Sequence, residues 1–240
     1  MALRYRKHFL PLESNPEVFT ELIHHLGVSD EIFFEDVFVL DEPELPRPTL
    51  ALVLLLPTTP TYEQKKTTVE SSRSEHSGSG AGEPVVWFKQ TINNACGLYA
   101  ILHALSNGEA RRYVATGSLL DQLLEACIPE TPDERARLLE DSAGLEQAYA
   151  VVATKGDSAV PHSAEDEVDY HYICFVRSEV DGCLYELDGD SKGPVALGKI
   201  ALRGEGDILG PETIDLIKRY LDQEQDSIGF SLMALVRRGR

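Results

Sequence analysis

Long hydrophobic runs are absent from this sequence. Its longest apolar stretch, residues 50–56, has the length of a strand, whereas a helix that crosses a bilayer needs about 20 apolar residues. The basic N-terminus leads into no apolar core of a signal peptide. The sequence therefore predicts a protein that has no membrane partner and that resides in the cytoplasm or the nucleus.

Cysteine is also scarce, and the chain has four: Cys96, Cys127, Cys174 and Cys183. Their spacing matches no pattern of zinc ligands, and the predicted compartment keeps thiols reduced. We therefore expect no metal ion and no cofactor. Each cysteine is either a small buried hydrophobe or a reactive thiol.

Basic residues are outnumbered by acidic ones. The chain has 22 Lys and Arg against 40 Asp and Glu, which gives a formal net charge of −18. A protein this acidic repels phosphate backbones, so we expect no nucleic-acid partner. The charge suits a basic protein or a basic tail as partner, although it also has the simpler explanation that it keeps the chain soluble.

One polar segment interrupts an otherwise ordinary globular composition of 42% apolar and 26% charged residues. The stretch from about residue 60 to 84 is rich in Thr, Ser, Gly, Glu and Lys, and this composition predicts a disordered surface loop. The chain before this stretch is too short for a substantial core of its own. We therefore predict one domain over residues 1–240, a monomer, with this loop on its surface.

Strand and helix patterns alternate along the chain. Ser14 and Glu17 have the spacing of a capping box and predict the start of a first helix. Apolar runs predict strands at residues 33–40, 50–56, 170–176, 184–187 and 228–236. Helical patterns occupy residues 96–105, 118–127, 131–139, 144–153 and a last segment from 211. This order of elements predicts an α+β fold.

Cys96 stands where a turn-forming Asn93-Asn94 pair runs into an apolar helical pattern. Free N–H groups and the dipole at a helix N-terminus favour a thiolate, which is the form of cysteine that attacks a carbonyl. A structural cysteine in an apolar stretch is the competing interpretation. Position alone leaves the two about equal.

A thiolate nucleophile needs a base, and seven histidines compete for that role. His103 lies two helical turns beyond Cys96, about 10 Å along the same axis, and is better explained as a core or surface residue. His171 opens a strand after a long polar loop, a position from which a scaffold presents a catalytic side chain. His171 is therefore the candidate base.

Two further residues complete the candidate set. Asp188 ends the return strand of a hairpin that His171 opens and that turns at Asp181-Gly182, so it could orient the imidazole. Gln90 precedes Cys96 by six residues and could donate to an oxyanion. Taken alone, Asp188 is better explained as a turn residue and Gln90 as an exposed polar residue.

These residues resemble the motifs of a known family. The segment Gln90-Thr91-Ile92-x-Asn94-x-Cys96-Gly97, followed by Leu102-His103-Ala104, resembles the nucleophile motif of the ubiquitin C-terminal hydrolases (peptidase family C12). The family's histidine and aspartate segments resemble residues 169–173 and 181–189, and its terminal segments resemble residues 11–17 and 230–235. Five motifs in the family's order make the resemblance specific, and it extends from about residue 9 to 236.

The resemblance implies a role for each candidate. Cys96 is the nucleophile, His171 the general base and acid, Asp188 the residue that orients the imidazole, and Gln90 a donor to the oxyanion. Asn94 matches a family position near the site. The implied fold is that of the papain-like cysteine proteases, in which helices cover both faces of an antiparallel sheet.

The resemblance also implies a partner and a substrate. Members of the family cleave the bond after the C-terminal glycine of ubiquitin, from small or disordered leaving groups that pass beneath a crossover loop, here about residues 153–167. The family's ubiquitin-contacting segments match Pro11, Leu12, Glu13, Ser14, Asn15, Pro16, Ser227, Ile228, Gly229, Phe230, Ser231 and Leu232. Three alternatives stay open: a ubiquitin-like modifier as substrate, a catalytically silent ubiquitin-binding module, and a papain-like protease with an unrelated substrate.

Overall fold

The computed structural model describes residues 5–40, 45–157, 161, 163–166, 168–204, 206–223 and 229–239. The strands are β1 (Lys7–His8), β2 (Ile32–Asp36), β3 (Thr49–Pro57), β4 (Ile92–Asn93), β5 (Tyr170–Arg177), β6 (Cys183–Leu187), β7 (Val195–Lys199) and β8 (Ser231–Arg237). The α-helices are α1 (Pro16–His25), α2 (Pro60–Ser71), α3 (Cys96–Ser106), α4 (Leu119–Cys127), α5 (Pro132–Asp141), α6 (Ala143–Val152) and α7 (Pro211–Gln223). None of the helices within the described ranges is long and apolar enough to cross a bilayer.

Six strands form one antiparallel sheet in the order β2-β8-β3-β5-β6-β7. The central strand β3 pairs with β5 in an unbroken register from Ala51 opposite Val176 to Pro57 opposite Tyr170. A second, parallel pair joins β1 to β4, directly ahead of α3. The sheet therefore carries the strand that contains His171, and the small pair carries the approach to Cys96.

Alternation along β3 divides the core into two layers. Ala51 and Val53 pack with α1, α3, α4, α5 and α6 on one face of the sheet. Leu52, Leu54 and Leu56 pack on the opposite face with α7 and, at its edge, Tyr62 of α2. Because successive side chains of a strand point to opposite faces, one continuously apolar strand serves both layers. The predicted α+β arrangement of an antiparallel sheet between helices is confirmed.

Most predicted elements lie within a few residues of the observed ones, but the first helix cap is different. Asn15, not Ser14, caps α1, because the Asn15 side chain accepts hydrogen bonds from the backbone N–H groups of Glu17 and Val18. The Ser14 hydroxyl instead donates to Ser231 Oγ at 2.8 Å. Asn and Ser are about equally good at an N-cap, so the sequence pattern did not separate the two positions.

The predicted loop at residues 60–84 is the main error of the sequence analysis. Residues 60–71 form α2, whose N-cap Thr59 accepts from the N–H of Tyr62 and whose first residue is proline. The segment after α2 is also bound to the rest of the fold, since the N–H of His76 donates to the carbonyl of Lys192 at 2.7 Å. α2 buries no residue completely, which is why its composition resembled that of a loop.

Arg135 of α5 binds the end of the segment that follows α2. Its side chain is completely buried and forms an ion pair with Glu83. The remaining guanidinium N–H groups donate to the carbonyls of Cys127, Trp87 and Ile128 at 3.0–3.1 Å. Arg135 therefore fixes the chain just ahead of Gln90.

Replacing Arg135 with methionine should lower the free energy of unfolding by about 3 kcal/mol or more, because it removes the buried cation that pairs with Glu83 and the hydrogen bonds that this cation donates to three carbonyls. Urea unfolding measures this loss. Arg137→Met on the exposed side of α5 is the matched control and should change stability by less than about 0.5 kcal/mol. Equal stability of the two variants would contradict an anchoring role for Arg135.

Candidate active site

Cys96 is the first residue of α3 and is buried, with 6% of its surface exposed. The N-cap position is Ala95, whose side chain has no acceptor, so no side chain caps the N–H groups of the first turn. Such free N–H groups and the helix dipole favour negative charge at this end. The structure thus places the thiol where the sequence analysis expected it.

His171 and Asp188 are in direct contact. His171 lies near the start of β5, and Asp188 directly follows β6, the adjacent antiparallel strand. His171 Nε2 is 2.6 Å from Asp188 Oδ1, and both side chains are almost completely buried. The hairpin therefore brings together the two residues whose proximity spacing alone did not establish.

The electrostatics of His171 depend on its two neighbours. Burial of the ring favours the neutral form, but the Asp188 carboxylate and its hydrogen bond, together with a hydrogen bond and charge interaction with Cys96, outweigh it and raise the pKa of His171 to about 10. The imidazole therefore contacts the Asp188 carboxylate through Nε2, and the ring is protonated over the neutral pH range.

Besides His171, three other groups donate hydrogen bonds to the Asp188 carboxylate or lie close to it. The backbone N–H of Asp190 donates to Oδ1 at 2.8 Å, the Ser191 hydroxyl donates to Oδ2 at 2.9 Å, and the Lys66 ammonium lies 3.0 Å from Oδ2. Burial raises the pKa of Asp188, but His171, Lys66 and the Asp190 N–H together hold it well below its usual range. Asp188 is therefore ionised.

Lys66 and Ser191 were missed by the sequence analysis. Lys66 lies on α2, and the signal for that helix was the Thr59-Pro60 pair, a good N-cap followed by proline at the first helical position. No sequence signal indicated that Lys66 reaches Asp188, because the two residues are far apart in the chain and belong to different elements.

Gln90 lies beside the loop that follows Asp188. Its backbone N–H donates to the carbonyl of Gly189 at 2.7 Å, and a Cβ on Gly189 would come within 3.0 Å of Gln90 Cβ. The side-chain Nε2 donates weakly to the Ile92 carbonyl at 3.3 Å. Its Oε1 is buried and has no hydrogen-bond partner within the described part of the chain. Because the bond from Nε2 to the Ile92 carbonyl is long, the amide N–H is available to a stronger acceptor.

Asn94 connects the turn before Cys96 to the predicted crossover loop. Its backbone is in the left-handed region, with φ of 57°, a conformation that asparagine tolerates better than most residues. From there Asn94 Nδ2 donates to the carbonyls of Ala164 and Asp166 at 2.9 and 2.8 Å. Of the predicted crossover loop, residues 158–160, 162 and 167 lie outside the described residues.

A cleft of about 520 Å³ opens beside Cys96. The N-terminal residues 11–14 form one wall, and Ala153, Lys155, Pro161 and Val168 of the crossover region contribute to another. Leu55, Tyr170 and Tyr172 of the sheet complete the lining. The cleft is mostly apolar, and it therefore suits an extended peptide segment that passes the thiol.

The two segments predicted to contact ubiquitin are adjacent in space. Ser14 and Ser231 join them through the hydrogen bond between their hydroxyls. Gly229 and Phe230 are half-buried, whereas Leu232 is buried in the core layer that contains α7. Asn15 and Pro16 begin α1, and Ser227 and Ile228 lie outside the described residues. The Leu232 side chain therefore packs in the core and presents little surface to a partner.

His103 is not part of this arrangement. It is buried in the core, where its Nε2 accepts from the N–H of Phe88 at 3.0 Å. Burial lowers the pKa of His103 to about 4, so the ring is neutral. The structure also brings no three metal-ligating side chains together within the ranges it describes.

Comparison with known sequences decides the family. Residues 9–222 match the family described as ubiquitin carboxyl-terminal hydrolase, family 1, a peptidase family of class C12. This chain belongs to that family. The hydrolase is accordingly an enzyme of the cysteine type, and the resemblance found in its motifs is confirmed.

Individual relatives cover nearly the whole hydrolase. Ubiquitin carboxyl-terminal hydrolase 3 of Arabidopsis thaliana is 34% identical over 97% of this chain and 95% of its own. The human isozyme L1 is 34% identical over 94% of this chain and 96% of its own. The crystal structure of the Trichinella spiralis UCH37 catalytic domain bound to ubiquitin vinyl methyl ester has a TM-score of 0.73 and 23% identity, covering 98% of both chains. The papain-like fold is therefore confirmed.

Replacing Asp188 with asparagine should lower the pKa of His171, because burial then acts without the main opposing charge. In the wild type, a raised pKa stabilises the folded state fully below the unfolded value of 6.5 and progressively less as pH rises through about 10. NMR titration of His171 and urea unfolding against pH measure both effects, and the alkaline loss should be smaller in Asp188→Asn.

The matched control is Asp181→Asn, since Asp181 lies at the turn of the same hairpin, where its carboxylate accepts from the backbone N–H of Cys183 and from the Tyr185 hydroxyl. This variant should leave the His171 titration unchanged. An unchanged titration in Asp188→Asn as well would show that the carboxylate does not control the imidazole.

Proposed function

We propose that this enzyme hydrolyses the bond after the C-terminal glycine of ubiquitin through a Cys96-His171-Asp188 triad. The observation that carries the proposal is the buried hydrogen bond between His171 and the ionised Asp188. The Cys96 thiol stands at the start of α3 and helps raise the pKa of His171. A nucleophile, a base and a group that orients the base are the elements of a thiol acyl-transfer site.

The reaction proceeds in two stages. The Cys96 thiolate forms a bond to the carbonyl carbon of the substrate, and the imidazolium of His171 gives its proton to the departing nitrogen as the C–N bond breaks. Water, deprotonated by neutral His171, then attacks the thioester and releases the carboxylate and the free thiol. Asp188 holds Nε2 throughout, so that the other ring nitrogen serves the thiol and the water.

The oxyanion formed in each stage needs donors. The backbone N–H of Cys96, at the uncapped start of α3, is one of them. The second is the Gln90 amide, whose present bond to Ile92 is long enough at 3.3 Å to be exchanged for a charged acceptor. Preorganised donors of this kind contribute most where charge develops in the transition state.

Ubiquitin as the substrate is supported by the cleft and by the relatives. The cleft is bounded by residues 11–14, which the sequence resemblance assigned to ubiquitin contacts, and a related domain was crystallised with ubiquitin vinyl methyl ester. Glu13 lies in the cleft wall, and the net charge of −18 favours a basic tail. A ubiquitin-like modifier is the alternative substrate, and parallel hydrolysis of the two C-terminal amides separates them.

Small or disordered leaving groups are proposed because the crossover loop is tied to the nucleophile turn. Asn94 holds this loop at Ala164 and Asp166, so a bulky folded partner would have to displace it. We further propose that the enzyme acts as a monomer in a reducing compartment such as the cytoplasm or nucleus, in keeping with its four free cysteines.

Cys96→Ser should bind ubiquitin but lose roughly 10³-fold or more of kcat, because the hydroxyl is poorly activated by this imidazole. Hydrolysis of a fluorogenic C-terminal amide of ubiquitin, in parallel with the same derivative of a ubiquitin-like modifier, measures rate and specificity. Cys183→Ser, at a half-buried free cysteine, is the control and should retain wild-type activity. No release by the wild type from either substrate would favour a silent binding module.

Asn94→Gly should broaden the range of leaving groups. Glycine keeps the left-handed backbone conformation but cannot hold the carbonyls of Ala164 and Asp166. We expect the rate for a ubiquitin fusion to a small folded protein, divided by the rate for the fluorogenic amide, to rise roughly tenfold. The ratio corrects for any loss of intrinsic activity. An unchanged ratio would mean that this anchor does not limit access.

A further inference from the structure

The helix α2 contributes a charged residue to the environment of the catalytic carboxylate. The Lys66 ammonium lies 3.0 Å from Asp188 Oδ2 and 2.8 Å from Asp190 Oδ2, and 15% of the Lys66 side chain is exposed. Burial lowers the pKa of Lys66, but the two carboxylates outweigh it and raise the pKa well above the usual value. Lys66 is therefore a fixed positive charge beside Asp188.

The position of Lys66 is fixed because α2 is bound to the loop that follows Asp188. The backbone N–H of Lys192 donates to Glu70 Oε2 at 2.7 Å, near the end of α2. Arg73 Nη2 donates to the carbonyls of Gly193 and Pro194 at 2.9 and 3.0 Å. Lys192 Nζ returns a hydrogen bond to the carbonyl of Arg73 at 3.0 Å. Helix and loop thus form one connected unit.

The donors around Asp188 divide between its two oxygens. Oδ1 faces His171 Nε2 at 2.6 Å and also accepts from the N–H of Asp190. Oδ2 faces the Lys66 ammonium and the Ser191 hydroxyl, on the side away from the imidazole. A carboxylate held at both oxygens cannot rotate about its Cβ–Cγ bond without breaking a charged contact.

We propose that Lys66 is a positioning residue for the proposed triad, in which its ammonium holds Oδ2 of Asp188 so that Oδ1 stays aligned with His171. This inference rests on the proposed function, since it assigns to Lys66 a role in that same reaction. Lys66 does not touch the reacting atoms, and it lies outside the cleft that contains Cys96. Its effect is therefore on the rate of the chemical steps and not on the affinity for ubiquitin.

Lys66→Met removes the charge and keeps much of the side-chain length. We expect kcat for the fluorogenic ubiquitin amide to fall roughly tenfold, since misalignment of a catalytic group by a fraction of an ångström has effects of this order, while KM stays within about twofold. Lys66→Arg restores a cation and should recover most of the rate. Lys65→Met, the same substitution at the exposed neighbouring position, is the matched control and should act like the wild type.

Two readouts separate positioning from a general loosening of α2. In the Asp188→Asn background, Lys66→Met should have little further effect on kcat, because the pair acts through one carboxylate. The low-field NMR signal of the His171 Nε2 proton should broaden or shift in Lys66→Met and stay unchanged in Lys65→Met. The inference would be overturned if the losses of kcat from Lys66→Met and Asp188→Asn multiplied in the double variant. It would also be overturned if Lys66→Met left the His171 Nε2 proton signal unaltered.

Failure of this inference is distinct from failure of the proposed function. A wild type that hydrolyses the ubiquitin amide and depends on Cys96, His171 and Asp188, together with a fully active Lys66→Met, would reject the role of Lys66 alone. A wild type that hydrolyses no ubiquitin derivative, or one that does not depend on Cys96, would reject the triad proposal and with it the role of Lys66.

Discussion

The buried pair of His171 and Asp188 is the interaction on which the site depends. Two charges removed from water are tolerated only where their geometry and their other hydrogen bonds compensate the loss of hydration. Here the compensation comes from two other parts of the chain. The turn that follows β6 supplies the Asp190 N–H and the Ser191 hydroxyl, and α2 supplies the Lys66 ammonium. The surrounding elements thus converge on one carboxylate, and the imidazole gains both its charge and its direction from it.

The residues around the His171–Asp188 pair come from opposite faces of the sheet. α3 packs on one face and supplies Cys96, whereas α2 lies along the other face and supplies Lys66. His171 has the same parity along β5 as Ile173 and Phe175, which belong to the core layer on the α2 side. The start of α3 lies beside the first residues of β5, since Cys96 shares a cleft with Tyr170 and Tyr172. The candidate active site lies at this end of the sheet, where helices from both layers come close to one strand.

The sequence predicted the parts of this arrangement that have local signals. The apolar run at residues 50–56, the turn before Cys96 and the Asp181-Gly182 hairpin each indicated an element that the structure contains. It did not predict α2, because a helix with no completely buried residue has no apolar stripe. It also missed the cap at Asn15 and the strand β7, and it could not place Lys66 beside Asp188. Contacts between distant segments follow from packing, which no local pattern encodes.

The unbroken pairing of β3 with β5 has a consequence for how such an enzyme can vary. This pairing extends to Pro57 opposite Tyr170, and the N–H of Thr58 then donates to the carbonyl of Asp169. Residues can therefore be gained or lost before Asp169 without moving the imidazole. A single residue gained inside β5 would exchange His171 for a neighbouring tyrosine at the same place. The loop ahead of β5 can thus change in length while the position of His171 in the sheet stays constant.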